Sequence, residues 1–360
     1  MAGNDTGRDA SKVEAIQLLR AVAAATVALS HLTFAFADHI GPGLELGGPD
    51  RRSAAGQIAV ALFFIVSGYV MVVAAGPLFG QPDAVKTFWM RRLVRILPSY
   101  WFASLLLALV FLAIGFKVEP REFAQSLFLI PLTSDAFVGR PIFFLWPGWT
   151  LFYEMTFYLL FGIGIAAGRR FTVAFVVAAL SGLVITGLLL AGSPAWLVSM
   201  TRPVLLLFPV GMALAVVRAR GVALPASLRV LAAVLGGFAW RIIPAPSAPA
   251  MLGFDYLLWA GVPAVLMAVA LSGGPLRLPF FPVIDRLGNA SYALYLLHVP
   301  LAHAWINLFP LRLGAWPFLI SLALLVYGAS LFAHVYLERP ALHWLNRRLS
   351  RWGRPNAKKP

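Results

Sequence analysis

Apolar stretches of about 20 residues recur from near the start of this 360-residue chain to near its end. A helix that crosses the hydrocarbon core of a bilayer needs roughly 20 such residues in a row. Only 12% of the residues are charged, against about 25% in an ordinary soluble domain. We therefore predict an all-α fold, a polytopic membrane bundle of about ten transmembrane helices, with no sizeable soluble domain.

The predicted spans are 13–37, 57–75, 97–116, 148–167, 171–191, 203–218, 226–243, 253–272, 288–309 and 315–337. Ten spans place both termini on one side of the membrane. Of the 29 Lys and Arg residues, 20 then fall on the side of the termini and 8 on the other, with Arg20 inside the bilayer. Since cytoplasmic loops are rich in Lys and Arg, this asymmetry predicts that both termini are cytoplasmic. The apolar stretch 123–132 is too short to span and is expected to be re-entrant or interfacial.

The net charge of +15 would suggest a nucleic-acid partner for a soluble protein. Here the basic residues cluster in short loops, so the charge is a signal of topology and no nucleic acid is expected. The chain has no cysteine, which excludes disulfides, thiolate catalysis and metal sites with Cys ligands. The six His residues lack a spacing suited to shared ligation, so no metal site is expected.

Two ionisable residues, Arg20 and His31, interrupt the first apolar helix. Eleven positions correspond to about three helical turns, so both side chains leave one face, about 16 Å apart along the axis. An ionisable residue inside a membrane helix is costly and points to a functional site. The alternative is that Arg20 reaches the lipid headgroups while His31 caps the far end of the helix.

A cationic cluster, Arg91, Arg92 and Arg95, precedes the third predicted span. Arg92 and Arg95 share a helix face, and paired guanidinium groups suit a phosphate-rich ligand. The alternative is that these residues are ordinary anchors on the cytoplasmic side of the membrane.

Other polar residues occur where an apolar bundle would not need them. Ser67 and Gly68 lie in the middle of the second span, where glycine permits the close approach of a backbone or an acyl group. Glu154, inside the fourth span, needs an Arg, a His or a sugar hydroxyl as its partner, and a contact with His31 is geometrically permitted. Paired with an Arg, Glu154 would serve packing alone.

The ninth predicted span carries Ser291, Tyr295 and His298 on neighbouring faces. His298 lies two residues before Pro300, where a kink of the helix is expected. His298 is a candidate for the same cavity as Glu154, although a His beside a Pro is commonly a structural hydrogen-bonding group. Three other His residues are expected to be structural, namely His303, His334 and His343.

Together these stretches resemble the acyltransferase 3 family of polytopic membrane enzymes, and the resemblance covers nearly the whole chain. It is carried by Arg20 with His31, Phe63–Tyr69, Arg91–Pro98, Trp149–Glu154, Leu287–His298 and Glu338–Pro340. Where relatives often have Trp-Ser-Leu, this chain has Trp149-Thr150-Leu151, a conservative change. The membrane domain is assigned to residues 1–345, and residues 346–360 to a short basic cytoplasmic tail.

The resemblance implies an O-acyltransferase of the bacterial cytoplasmic (inner) membrane that needs no permanently bound cofactor. Its donor substrate is acetyl-CoA or another acyl-CoA, reached from the cytoplasm, and its acceptor is a hydroxyl of a polysaccharide or lipid-linked glycan. Arg92 and Arg95, with Arg91 as the second choice, are expected to bind the CoA phosphates. The residues expected to bind substrate are Ser67, Tyr69, Tyr153, Ser291 and His298.

O-acylation requires a group that takes the proton of the attacking hydroxyl and a group that stabilises the thioester oxyanion. His31 is the best candidate for the base, because a neutral imidazole accepts a proton near pH 7. Glu154 is expected to orient His31 or hold the acceptor, and Arg20 to stabilise the oxyanion or hold the pantetheine arm. A covalent acyl group on His31 is an equally open route.

Three other functions are compatible with these residues. Buried Arg, His and Glu also mark the substrate pathway of a transporter or flippase for a lipid-linked glycan. The absence of a visible internal repeat and the cationic cluster favour the enzyme. A scaffold in a polysaccharide assembly complex predicts that His31 is dispensable. A third alternative is an enzyme whose acceptor is a small molecule such as an antibiotic.

Overall fold

A computed structural model describes residues 3–40, 49–132, 141–190, 194–246, 252–308 and 315–352. In these ranges the chain is almost wholly helical, and the β-type pairing found there is one isolated antiparallel bridge between Leu132 and Ile142. The predicted all-α fold is therefore confirmed.

The helices are α1 (Gly3–Ile40), α2 (Pro49–Ala74), α3 (Ala84–Ala113), α4 (Pro120–Leu127), α5 (Gly148–Gly164), α6 (Arg169–Leu189), α7 (Ala195–Met200), α8 (Leu207–Ala219), α9 (Ala226–Ile242), α10 (Phe254–Tyr256), α11 (Val262–Ser272), α12 (Phe281–Leu308), α13 (Ala315–Ala333) and α14 (Arg339–Trp352). Two π-helical turns, Leu257–Gly261 and His334–Glu338, join α10 to α11 and α13 to α14.

Within the described ranges, eight helices are long and apolar enough to cross a membrane. They coincide with eight of the ten predicted spans, and the protein is a multi-pass membrane protein. The other two predicted spans are also helices, α9 and α12. The first has only 17 residues, and polar residues such as His298, His303 and Asn307 dilute the second. The full number of spans and the side of the termini stay predictions.

Glycines allow the central helices to approach closely. A Cβ atom on Gly68 of α2 would overlap the backbone carbonyl of Phe208 in α8, and one on Gly211 of α8 would overlap that of Ile65 in α2. A Cβ atom on Gly288 of α12 would lie 2.7 Å from the backbone oxygen of Gln17 in α1. Gly68 therefore serves the packing of helix backbones, the simpler of the two interpretations of its sequence context.

Two helices extend beyond their predicted limits. The third span begins at Ala84 rather than at residue 97, so Arg91, Arg92 and Arg95 lie on the helix itself. At the other end of the chain, α14 continues to Trp352, so residues 346–352 of the predicted tail are helical, and the tail residues 353–360 lie outside the described ranges.

Candidate active site

A cavity of about 100 Å³ lies between α1, α2, α3, α5 and α12. We call it the polar cavity because its wall includes charged and hydroxyl side chains. These are Arg20, Ser67, Arg92, Arg95, Thr150, Glu154, Tyr158, Ser291, Tyr292 and Tyr295. The structure thus brings together most of the site residues predicted from five separate stretches of sequence.

Three guanidinium groups face this cavity, from Arg20 of α1 and from Arg92 and Arg95 of α3. Arg92 lies 5.7 Å from the centres of both the Phe88 and Tyr158 rings, and its buried Nε has no hydrogen-bond partner among the described residues. In the same part of the chain none of the three groups forms an ion pair with a carboxylate. The arrangement therefore suits an anionic ligand. Arg91, in contrast, is exposed and does not line the cavity.

Arg20 is oriented by a network of polar side chains between α1 and α12. Its Nη1 donates to Oε1 of Gln17 at 3.3 Å. The amide nitrogen of Gln17 in turn donates to Asp285 Oδ1 at 2.7 Å and to Asn289 Oδ1 at 2.8 Å. Because both amide hydrogens point toward α12, the carbonyl oxygen of Gln17 is directed to Arg20.

Glu154 accepts hydrogen bonds from two hydroxyl groups on the wall of the polar cavity. Ser67 Oγ donates to Glu154 Oε1 at 3.0 Å, and the Tyr158 hydroxyl donates to the same oxygen at 2.5 Å. Glu154 therefore has hydroxyl partners within the bundle, in place of the Arg or His that its sequence context suggested. The second carboxylate oxygen retains acceptor capacity toward the cavity.

His31 is held by a second histidine. Its Nδ1 lies 2.8 Å from Nε2 of His298, whose own Nδ1 lies 3.1 Å from the carbonyl oxygen of Leu294. A carbonyl oxygen only accepts, so Nδ1 of His298 carries the hydrogen and its Nε2 accepts from Nδ1–H of His31. In a neutral His31 ring the lone pair is then on Nε2. The position next to His31 Nδ1 is thus occupied by His298, and Glu154 bonds elsewhere.

Aromatic rings surround this histidine pair. Trp146 stacks on His31 with ring centres 5.5 Å apart, and the His298 ring lies 5.0 Å from His31 on a nearly parallel plane. The ring of Tyr295 lies 6.0 Å from that of His298 and also lines the polar cavity, where its hydroxyl is 2.8 Å from Thr150 Oγ1. Tyr295 therefore connects the cavity with the histidine pair.

Three other predicted substrate-binding residues are buried, and two of them lie away from the cavity. Ser291 lines it, with its hydroxyl bonded to the Gly288 carbonyl at 2.7 Å. Tyr153 packs in the aromatic core of α2, α5 and α8 and donates to the Ser199 carbonyl at 2.8 Å. Tyr69 is buried in the same core. Neither tyrosine lines the polar cavity.

Sequence reasoning missed Tyr158, Tyr292 and Trp146. They resemble interfacial or core aromatics in a chain with 13% aromatic residues, and only the position of Tyr158 one turn after Glu154 carried a signal. In the portion of the chain that the structure describes, no cluster of three His, Asp or Glu residues is arranged to hold a metal ion.

Comparisons with known proteins identify a family and two relatives to which the chain is similar. The family model described as an acyltransferase domain, that of the acyltransferase 3 family, matches residues 13–335. The chain is 30% identical over 302 residues to the exopolysaccharide production protein ExoZ of Rhizobium meliloti (strain 1021), covering 80% of this chain and 90% of ExoZ. It is 27% identical over 336 residues to the acyltransferase MdmB of Streptomyces mycarofaciens, covering 81% of this chain and 82% of MdmB. No solved structure matches the chain.

Proposed function

Because the chain belongs to the acyltransferase 3 family, we propose that it moves an acyl group, acetyl in the simplest case, from acyl-CoA to a hydroxyl of a polysaccharide or lipid-linked glycan. The name of ExoZ, which refers to exopolysaccharide production, supports a saccharide acceptor. The name of MdmB, an acyltransferase, supports the transfer of an acyl group.

The guanidinium groups of the polar cavity support a donor rich in phosphate. CoA carries several phosphate groups, and Arg92 and Arg95 offer donors from one face of α3 without forming an ion pair to a carboxylate among the described residues. Guanidinium binds phosphate oxygens in pairs and remains charged throughout the physiological pH range. We assign the CoA phosphates to this pair.

The separation of Arg20 from His31 supports a donor that reaches along α1. The two residues lie eleven positions apart on one continuous helix, about 16 Å along its axis. Arg20 lines the polar cavity beside Arg95, whereas His31 lies beyond Tyr295. Of the two roles considered for Arg20, holding the donor arm fits this distance, and stabilising an oxyanion next to His31 does not.

The histidine pair is the observation that carries the proposal. His31 Nε2 takes the proton from the acceptor hydroxyl as its oxygen attacks the thioester carbonyl. The carbon–sulfur bond then breaks, and the imidazolium returns the proton to the departing sulfur, which leaves as the CoA thiol. His298 acts by positioning, because its Nε2 holds the hydrogen of His31 on Nδ1. An acyl-imidazole intermediate would use the same nitrogen of His31.

Glu154 is placed to hold the acceptor. Its carboxylate faces the polar cavity with acceptor capacity remaining after the bonds from Ser67 and Tyr158. Sugar hydroxyls are donors, so a carboxylate in a cavity shielded from bulk water binds them strongly.

Membrane vesicles from cells that make the protein test this function. We expect label from [14C]acetyl-CoA to appear in the saccharide fraction and to be released by mild alkali, as an O-ester is. Vesicles from matched cells without the protein provide the background. Unlabelled saccharide together with movement of the glycan across the vesicle membrane would contradict the enzyme and support a transporter.

A further inference from the structure

A second cavity, of about 310 Å³, lies between α3, α12 and the junction of α13 with α14. We call it the lateral cavity. Ten of its lining residues are apolar, and two of these, Phe102 and Leu337, are nearly half exposed, at 46% and 47%. Both lie on candidate membrane spans, and we take the gap between them as the mouth of the cavity, open to lipid. Arg20, Arg95 and Tyr292 line both cavities.

One wall of the lateral cavity carries a histidine held by a carboxylate. His334 Nδ1 lies 2.7 Å from Glu338 Oε2, and Ser99 Oγ donates to the other oxygen of Glu338 at 3.1 Å. His334 and Glu338 lie on the π-helical turn between α13 and α14. Such turns are rare overall, but they are often found at functional sites.

His334 is 92% buried, and its Nε2 has no hydrogen-bond partner in the described part of the chain. Because Nδ1–H donates to Glu338, the Nε2 of a neutral ring is an acceptor. A buried acceptor without a partner costs free energy, so a ligand hydroxyl at this position would be stabilising.

From these groups we infer that the lateral cavity binds a membrane phospholipid with a hydroxylated headgroup. Its phosphate lies at Arg20 and Arg95, which form no ion pair within the described residues, and its headgroup hydroxyl donates to His334 Nε2. One hydrocarbon chain occupies the apolar part of the cavity and leaves by the mouth between Phe102 and Leu337. Arg20 and Arg95 also hold the donor in the proposed function, so the phospholipid and CoA are expected to compete for these two groups.

Native mass spectrometry of the detergent-purified protein tests the site with three dioleoyl lipids. Phosphatidylglycerol has both a phosphodiester and headgroup hydroxyls, phosphatidylmethanol has the phosphodiester alone, and diacylglycerol has the hydroxyl alone. We expect phosphatidylglycerol to bind about tenfold more tightly than phosphatidylmethanol, the size of one buried hydrogen bond. Diacylglycerol is expected to bind more weakly than either.

The variant His334→Ala should remove the preference for phosphatidylglycerol over phosphatidylmethanol, and His334→Gln, whose amide oxygen accepts a hydrogen bond, should restore part of it. The matched control is His343→Ala, since His343 also bonds through Nδ1 to a residue four positions away but is exposed and lies outside the cavity. We expect this control to keep the wild-type preference.

A second variant tests the apolar part of the cavity without changing the histidine. Ala341→Phe places a ring in the cavity and should abolish binding of phosphatidylglycerol, while Ala329→Phe on α13, which does not line it, should not. Equal binding of all three lipids by the wild type, or the same preference in His334→Ala and His343→Ala, would overturn the inference. Normal acyl transfer by Ala341→Phe would leave the proposed function standing, so the two claims can fail separately.

Discussion

The two ends of the Arg20–His31 segment of α1 are built from different chemistry. At Arg20, three guanidinium groups and one carboxylate share a cavity with several hydroxyls. At His31, the contacts are aromatic rings, from His298 and Trp146, with Tyr295 behind them. The first environment favours binding of an anion, and the second favours transfer of a single proton. Under the proposed function, one long helix thus separates donor binding from chemistry by about 16 Å.

The largest effect on binding is expected from the Arg20 end. The double variant Arg92→Ala/Arg95→Ala should raise the Kd for CoA at least about 100-fold, because each charge-assisted hydrogen bond contributes roughly 1.5–3 kcal/mol. Titration calorimetry in detergent measures this change. Arg170→Ala, on the exposed start of α6, is the matched control and should leave the Kd within about twofold. An equal rise of the Kd in Arg92→Ala/Arg95→Ala and in Arg170→Ala would show that CoA binding depends only on the net charge of the protein.

At the other end, His298→Ala should lower kcat about 100-fold, because His31 then loses the group that fixes its hydrogen on Nδ1. The Kd for CoA should not change. His298→Asn, whose carbonyl oxygen accepts from His31, should recover part of the rate. Histidine 15N chemical shifts would report the Nδ1–H form of His31 in the wild type and a mixture of tautomers in His298→Ala. A spectrum of His298→Ala that still shows only the Nδ1–H form of His31 would contradict the positioning role.

The carboxylate of the polar cavity, Glu154, should have a smaller effect. Glu154→Gln removes the charge that accepts from Ser67 and Tyr158, and we expect the acceptor KM to rise about tenfold. Ser67→Ala removes one of these bonds and should raise it about threefold. Thr156→Ala is the control, since its hydroxyl bonds to the backbone of its own helix. If Glu154→Gln changed the Kd for CoA instead, Glu154 would belong to the donor site.

The smallest effect on chemistry, and a clear one on stability, is expected from Gly68→Ala. Its Cβ overlaps the Phe208 carbonyl, so the helices must shift, and overpacking costs typically 1–3 kcal/mol. Gly182→Ala on α6, where no atom lies within 4 Å of the new Cβ, should not destabilise the protein. Thermal unfolding in detergent compares the two variants. An unchanged midpoint for Gly68→Ala would refute the close contact of α2 with α8.

The sequence was sufficient to predict the features that depend on one helix at a time. Apolar length predicted the helices, and helical periodicity placed Arg20 and His31 on one face, which the structure directs toward α12. Contacts between helices were not predictable in this way. Glu154 was an equally reasonable neighbour for His31 until the packing of α1 on α12 brought His298 there.

The same limit applies to His334. A single helix does not reveal that this side chain lines a cavity enclosed by neighbouring helices. The start of α3 was also misplaced, since a search for apolar residues excludes the arginines that form its first turns.

The account depends most directly on His31, and one experiment with purified protein tests it. The rate of [14C]acetyl transfer to saccharide and the Kd for CoA are measured on the same preparations of wild type, His31→Ala and His303→Ala. His303 is the control, on α12 and packed against Phe111 outside the site. We predict that His31→Ala loses at least about 100-fold in rate with the Kd unchanged, and that His303→Ala resembles the wild type. Transfer at the wild-type rate by His31→Ala, or loss of CoA binding, would contradict the separation of donor binding from chemistry.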